Sequence, residues 1–292
     1  MLRVDPLFNL NAASNLNRLA GQESTLTSEL SSGLRVSSAS DDPAAAAASV
    51  RMGSKIAQDD TFVQTASSLE SRLQTADSAL SSVVTQVTSA ITLGVEGTNG
   101  TLTASNLQAI AQQLTSIRDQ VVSLANTSYN GTYVFGGTSD TQPYASATSG
   151  YAGDADTQFA STPTGQKIAT TMDGSSIFSS SNADLLGSLN NLIADFSAGT
   201  ASSSSTTDLN TLRSALDVVT TQRGVLAAST NALSAASTYA STEITNLTAG
   251  QSSLVSADTT KVATDLSTTE TQEKALLSAA TAVNKYSLFD YM

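Results

Sequence analysis

The sequence contains no cysteine and no histidine. No disulfide can brace the fold. Ser-His-Asp and Cys-His nucleophilic sites are excluded, together with the usual zinc, haem and iron–sulfur ligand sets. Tryptophan is also absent, aromatic residues make up 5% of the chain and charged residues 13%. The apolar residues are mostly Ala, Leu and Val, and the polar ones mostly Ser and Thr. That mixture suits narrow helical seams better than one thick core. Only paired carboxylates remain for acid–base chemistry, so catalysis is disfavoured. No catalytic, metal-binding or cofactor-binding residue is assigned, and no cofactor is expected. The net charge is −12 and the 13 Lys and Arg are scattered, which argues against nucleic acid and against an anionic membrane surface. Asp5 and Pro6 interrupt the first apolar residues, so no secretory signal is expected. No run approaches the roughly 20 apolar residues of a membrane-spanning helix.

Proline is scarce and unevenly placed, at Pro6, Pro43, Pro143 and Pro163. The gaps from 44 to 142 and beyond 163 leave room for long helices, because an interior proline costs about 3 kcal/mol. Periodicity fills both gaps. Phe62, Ala66, Leu69, Leu73, Ala76, Leu80, Val83 and Val87 alternate steps of four and three, the seam of a coiled coil. This run is expected to end near Gly94, followed by a turn through Glu96-Gly97-Thr98-Asn99-Gly100. Leu107, Ile110, Leu114, Ile117, Val121 and Leu124 predict a second helix, with Ser105 and Gln108 as its capping box. The longest register runs through Leu212, Val219, Leu226, Leu233, Ala240, Leu247 and Leu254, each seven residues apart. From 209 to 254 it predicts a helix roughly 68 Å long at about 1.5 Å per residue. Arg223 interrupts the companion row, either fixing register or pairing across a subunit contact, or else extending to a surface edge.

Between Tyr129 and about Ser181 the helical period gives way to Gly, Ser, Thr and aromatics. Asn130-Gly131 predicts a tight hairpin turn, Thr132–Phe135 a strand and Asp173-Gly174 a second hairpin turn. Leu185 to Phe196 predicts a short helix, and Ala198 to Thr207 a Ser-rich linker. The order of elements implies two helical arms lying antiparallel, with a small β-rich insert between them. The expected fold class is therefore mainly α. Asp41-Asp42 before Pro43 and a run of Ala reads as a helix cap rather than a metal or catalytic pair.

The segment from Leu10 to Met52 carries Leu30-Ser31-Ser32-Gly33-Leu34-Arg35-Val36, then Ser38-Ala39, Asp41-Asp42-Pro43 and Arg51-Met52. In this length and order it resembles the N-terminal region of bacterial flagellins and their relatives. Tyr129–Gly137 with Thr141–Tyr144, and the closing Ser287-Leu288-Phe289-Asp290-Tyr291-Met292, are similar to the hook–filament junction branch of that superfamily, hook-associated protein 3. The resemblance covers both arms. Thr88 to Glu96 departs from flagellins recognised by innate immune receptors, since it has no Arg.

The resemblance implies a structural junction adaptor of the bacterial flagellum, linking the hook side to the filament, with a short filament-forming flagellin as the alternative. A coiled-coil adhesin stands third and an enzyme last. The implied partners are like subunits in a ring, hook-associated protein 1, flagellin and an export chaperone, and the implied route is unfolded export through the flagellar channel. Residues 1–48 and 255–292 are expected to be terminal assembly helices, unfolded in the monomer because their stripes bury too little alone. Residues 49–128 and 207–254 form the expected rod, and 129–206 the insert with its linker. The assembly interface is assigned to Leu16, Leu19, Leu26, Leu30, Leu34, Arg35, Leu276, Leu277, Val283, Leu288, Phe289 and Tyr291.

Overall fold

The computed structural model describes residues 6–289. Seven helices and four short strands follow in order: α1 (Pro6–Ser32), α2 (Pro43–Gly97), α3 (Ala104–Ala125), β1 (Ser128–Tyr129), β2 (Thr132–Tyr133), β3 (Phe159–Ser161), β4 (Lys167–Ala169), α4 (Gly174–Phe178), α5 (Leu185–Ser197), α6 (Ser203–Val255) and α7 (Thr259–Phe289). The fold is mainly α, as the periodicity predicts. The chain divides into two compact units, one of residues 1–58 with 243–292 and one of residues 59–242.

In the unit of residues 59–242, the predicted seams pack. Leu80, Val83 and Val87 of α2, Leu114 and Val121 of α3, Leu189 and Leu192 of α5, and Leu212 and Val219 of α6 are fully buried in one cluster. Here α2 and α6 run antiparallel, since Leu209 abuts Gly94 while Arg223 pairs with Asp77. By composition α2 is long and apolar enough to cross a membrane. A third of its most apolar stretch is buried, and Leu80, Val83, Val87 and Ala90 of α2 lie in this core.

Four local expectations change. α2 does not end near Gly94. It continues to Gly97, because Gly94 and Gly97 let Leu209 and Phe196 pack directly on the helix backbone. The cap of α3 is Thr103, whose side chain accepts the Asn106 N–H, so Ser105 is already inside the helix. Asp173-Gly174 is not a hairpin turn. Asp173 caps α4 by accepting the N–H groups of Ser175 and Ser176. The Ser-rich linker is also shorter than expected. Ser203 already opens α6, and Asp195 accepts the hydroxyls of Ser202, Ser204 and Ser205 at 3.1, 2.9 and 2.6 Å. Those hydroxyls, Ser205 first, hold the Asp195 carboxyl below the usual carboxylate range.

The insert is built as its turns predict at Asn130-Gly131. Both residues have positive φ, 50° and 84°, and they join β1 to β2 antiparallel. A second hairpin joins β3 to β4 through Thr162–Gln166, with Gly165 at φ +86°. The insert is held by aromatics: Phe135 meets Phe178 edge to face at 5.4 Å, and Tyr144 meets Tyr151 at 5.6 Å. Burial pushes both tyrosine hydroxyls up to about 12. Asn126, at the end of α3, ties the insert on by donating to the Tyr144 carbonyl at 2.7 Å and accepting its N–H at 2.9 Å. From α2, Arg72 donates to the Tyr133 carbonyl at 3.1 Å.

Candidate assembly surface

The unit of residues 1–58 and 243–292 brings the two chain ends together. On α1 the inward residues Ala12, Leu16, Leu19, Glu23 and Leu26 step by four and three. On α7 Val262, Leu266, Thr269, Glu273, Leu276 and Ala280 do the same. The helices pack along each other. They run antiparallel, because Leu34, just beyond the end of α1, bridges Ser256, just before the start of α7, and a groove between them is lined by Arg18, Leu26, Asp265 and Gln272 among others. That groove encloses about 780 Å³ and is floored by small or polar side chains at Gly21, Thr25 and Thr268.

The seam is thin. Ala12, Leu19, Val262 and Thr269 are buried, while Leu16, Leu26, Leu266 and Leu276 are only half-buried. Leu10 is 71% exposed, Leu30 40%, Leu34 37% and Leu277 45%. Full burial of a leucine is worth about 1.5–3 kcal/mol, and most of these side chains realise only part of that. Glu23 and Glu273 within the stripes add carboxylates that must stay hydrated. The pair therefore carries more apolar stripe than it covers.

At one end of this pair the Leu30–Pro43 motif forms a clasp. Gly33 ends α1 with φ +69°, a conformation that favours glycine. Leu34 then bridges Ser256 antiparallel, with the Arg35 N–H on the Val255 carbonyl at 2.8 Å and the Ala257 N–H on the Gly33 carbonyl at 2.9 Å. The Arg35 guanidinium donates to the Leu254 carbonyl at 2.8 Å and lies 3.4 Å from Asp42. Asp42 accepts the Ala45 N–H at 3.0 Å and so caps α2, with Pro43 as its first residue. Asp41 accepts the N–H groups of Ser38 and Ser37 at 2.8 and 3.0 Å and the Ser37 hydroxyl. These N–H donors hold the Asp41 carboxyl low, and the Ala45 N–H, assisted by Arg35, does the same for Asp42. The structure thus gives Asp42 the capping role expected of the pair, whereas Asp41 closes the turn before it. Nearby, Gln251 of α6 donates to the Ser49 carbonyl and hydroxyl, both at 3.1 Å.

The residues assigned from sequence fall into three groups. Leu16, Leu19, Leu26 and Leu276 meet along the α1–α7 seam; Leu30 and Leu277 stand at its edge and Leu34 and Arg35 in the clasp. Val283, Leu288 and Phe289 lie on α7, but their side chains fall outside the described residues, as does Tyr291 altogether. Sequence reasoning did not find Val255 and Leu254, whose carbonyls receive Arg35. Backbone acceptors leave no signal in residue identity.

The chain is thus a helical protein whose first and last helices pair while a β-containing insert interrupts the helices between. Residues 7–140 match the family described as the bacterial flagellin N-terminal helical region. Flagellar hook-associated protein 3 of Salmonella typhimurium is 35% identical over 130 residues, covering 44% of this chain and 41% of that protein. The protein of the same name from Escherichia coli is 32% identical over 130 residues, with the same shares. The chain thus matches about two fifths of the length of these relatives. A solved structure described as a flagellar hook-associated protein of Vibrio parahaemolyticus superposes with a TM-score of 0.64, at 22% identity, over 74% of this chain and all of the other. That likeness speaks for the fold alone.

Proposed function

We propose that this protein is a structural component of the bacterial flagellum, a junction adaptor between the hook side and the flagellin filament. The observation that carries the reading is the pairing of the two chain ends in a seam that leaves Leu30, Leu34 and Leu277 uncovered, within a chain whose residues 7–140 match that flagellin family. Relatives bearing the name hook-associated protein 3 favour the junction over the filament. Residues 1–48 and 255–292 act as the assembly helices, ordered by packing on neighbouring subunits. Residues 49–128 and 207–254 act as the rod, and 129–206 as the insert. The assembly residues are those assigned from sequence, Leu16 to Arg35 and Leu276 to Tyr291. The partners are like subunits in a ring, hook-associated protein 1 on one side and flagellin on the other. An export chaperone holds the C-terminal arm before export through the flagellar channel.

Support for an assembly role also comes from the helix surfaces. Thr65, Thr88, Thr92, Thr220, Thr264 and Thr268 donate their hydroxyls to carbonyls four residues back in their own helices. A hydroxyl satisfied this way can be covered by a neighbour without losing a hydrogen bond. The testing experiment is polymerisation of the purified chain, induced by kosmotropic salt. The junction reading predicts no long homopolymer, and long filaments of this chain alone would replace it with the short-flagellin reading.

A further inference from the structure

The tripeptide Asn-Gly-Thr occurs twice, as Asn99-Gly100-Thr101 between α2 and α3 and as Asn130-Gly131-Thr132 at the β1–β2 turn. Both Asn-Gly pairs are exposed, and in both the glycine nitrogen has no neighbouring side chain to shield it from the asparagine amide. The two turns hold them differently. Asn130 is a central residue of its turn at φ +50°, with Gly131 at +84°, and the pairs Tyr129–Thr132 and Ser128–Tyr133 close behind it. That turn type fixes both dihedrals of its central residues and swings the Gly131 nitrogen away from the Asn130 side chain. Asn99 is instead the first residue of its turn, which the Leu102 N–H closes on the Asn99 carbonyl at 3.2 Å. Such a turn fixes the dihedrals of Gly100 and Thr101, not the rotation about the Asn99 Cα–C bond. The threonines differ too. Thr101 donates its hydroxyl to Asn99 Oδ1 at 3.2 Å, whereas Thr132 donates to the Tyr129 carbonyl. Elsewhere, the side-chain amides of Asn126, Asn190 and Asn191 are held by Tyr144, Ala147 and Asp208.

We propose that Asn99 is a site of spontaneous covalent modification, converting through a cyclic imide to aspartate and isoaspartate with water as the co-reactant. The Gly100 nitrogen gives its proton to solvent base and attacks Asn99 Cγ. The new C–N bond closes the ring, the bond to Nδ2 breaks, and Nδ2 leaves as ammonia with a proton taken back from solvent. The Thr101 hydroxyl sits on Oδ1, where negative charge develops as the ring closes. Water then opens the imide at either carbonyl. Opening at Cγ restores the ordinary main chain as aspartate and keeps the turn. Opening at the main-chain carbonyl gives isoaspartate, and the chain then runs through the side chain, one carbon longer. The carbonyl that Leu102 binds becomes a carboxylate on a branch, so this product loosens the connection that returns α3 onto α2. Either product adds one negative charge at the turn.

The repeated tripeptide is its own control. The full-length protein is incubated at mildly alkaline pH, folded or in denaturant, and its proteolytic peptides are followed by mass spectrometry, with electron-transfer fragmentation to distinguish isoaspartate. In the folded protein Asn99 is expected to convert at least about tenfold faster than Asn130, a barrier difference of about 1.4 kcal/mol. In denaturant the two rates should converge, because Gly-Thr follows both asparagines. The variant G100A fits the turn, since Gly100 has no left-handed φ and nothing lies within 4 Å of an added Cβ. It should slow conversion at Asn99 by a similar factor and leave Asn130 unchanged, with circular dichroism showing that the helices persist. Equal conversion of the two sites in the folded protein overturns the proposal. So does a difference that persists in denaturant, or conversion at Asn99 undiminished in G100A. None of these readouts depends on flagellar assembly, so the result stands apart from the junction reading.

Discussion

Arg35 makes contacts that neither partner could make alone. Its guanidinium reaches the Leu254 carbonyl and Asp42, while its N–H binds the Val255 carbonyl. One side chain therefore joins the segment after α1 to the segment before α7. The solvent-screened Arg35–Asp42 pair contributes little, and the carbonyl hydrogen bond adds about 1 kcal/mol. Arg35→Ala is expected to raise amide exchange at Arg35 and Ala257 together by roughly tenfold at about 1.4 kcal/mol. Unchanged exchange at Ala257 would refute the coupling. Acid should open the same clasp. Asp41 and Asp42 have depressed pKa values, so their contribution is present above the ordinary carboxylate pKa of about 4 and lost as pH falls through their folded values. Exchange-rate profiles at Ser37 and Ser38, corrected for intrinsic chemistry, should show protection falling below about pH 4. Tyr144 and Tyr151 work in the opposite direction. Their phenols are pushed up to about 12, so the insert keeps full stability below about pH 10 and loses it as pH rises toward 12. Tyrosinate absorbance and near-ultraviolet dichroism should change together in that window.

At the scale of elements, what was legible in the sequence was what repeats. Leu73, Leu80 and Val87 on α2, and Leu212, Val219 and Leu226 on α6, announce their seams by spacing, and all are buried. Arg223 was readable only as a break in its row. Its partner Asp77, at 2.9 Å, lies 146 positions away, and periodicity says nothing about partners. Single-residue punctuation misled for a physical reason. Asp-Gly serves a hairpin turn or a helix start equally well, and glycine ends a helix or admits a bulky neighbour, as Phe196 does at Gly97. The assembly surface was legible as stripes on α1 and α7, whereas the clasp that joins their linkers depends on backbone carbonyls. Burial predicts that the two seams differ in strength. Leu114→Ala, in the fully buried α2–α3–α5 core, should cost about 2–5 kcal/mol, whereas Leu16→Ala on the half-buried α1 seam should cost clearly less. Denaturant titrations of the two variants check the difference, and equal costs would mean that the α1–α7 seam is as well packed as the core.

For the whole molecule, the central claim is that this chain joins other flagellar proteins rather than building a filament of itself. Proteolysis of the soluble protein bears on the part of that claim concerning the chain ends. α1 and α7 should be cut well before α2, α3 and α6, and ends as resistant as those helices would contradict conditional ordering. The most direct measurement is deletion of the gene in its source bacterium, followed by electron microscopy of the cell surface and assay of flagellin in the medium. The account predicts cells that keep hooks, lack filaments and shed unpolymerised flagellin. Restoring the chain, but not a form lacking residues 255–292, should return the filaments. Full-length filaments on the deletion strain would contradict the claim.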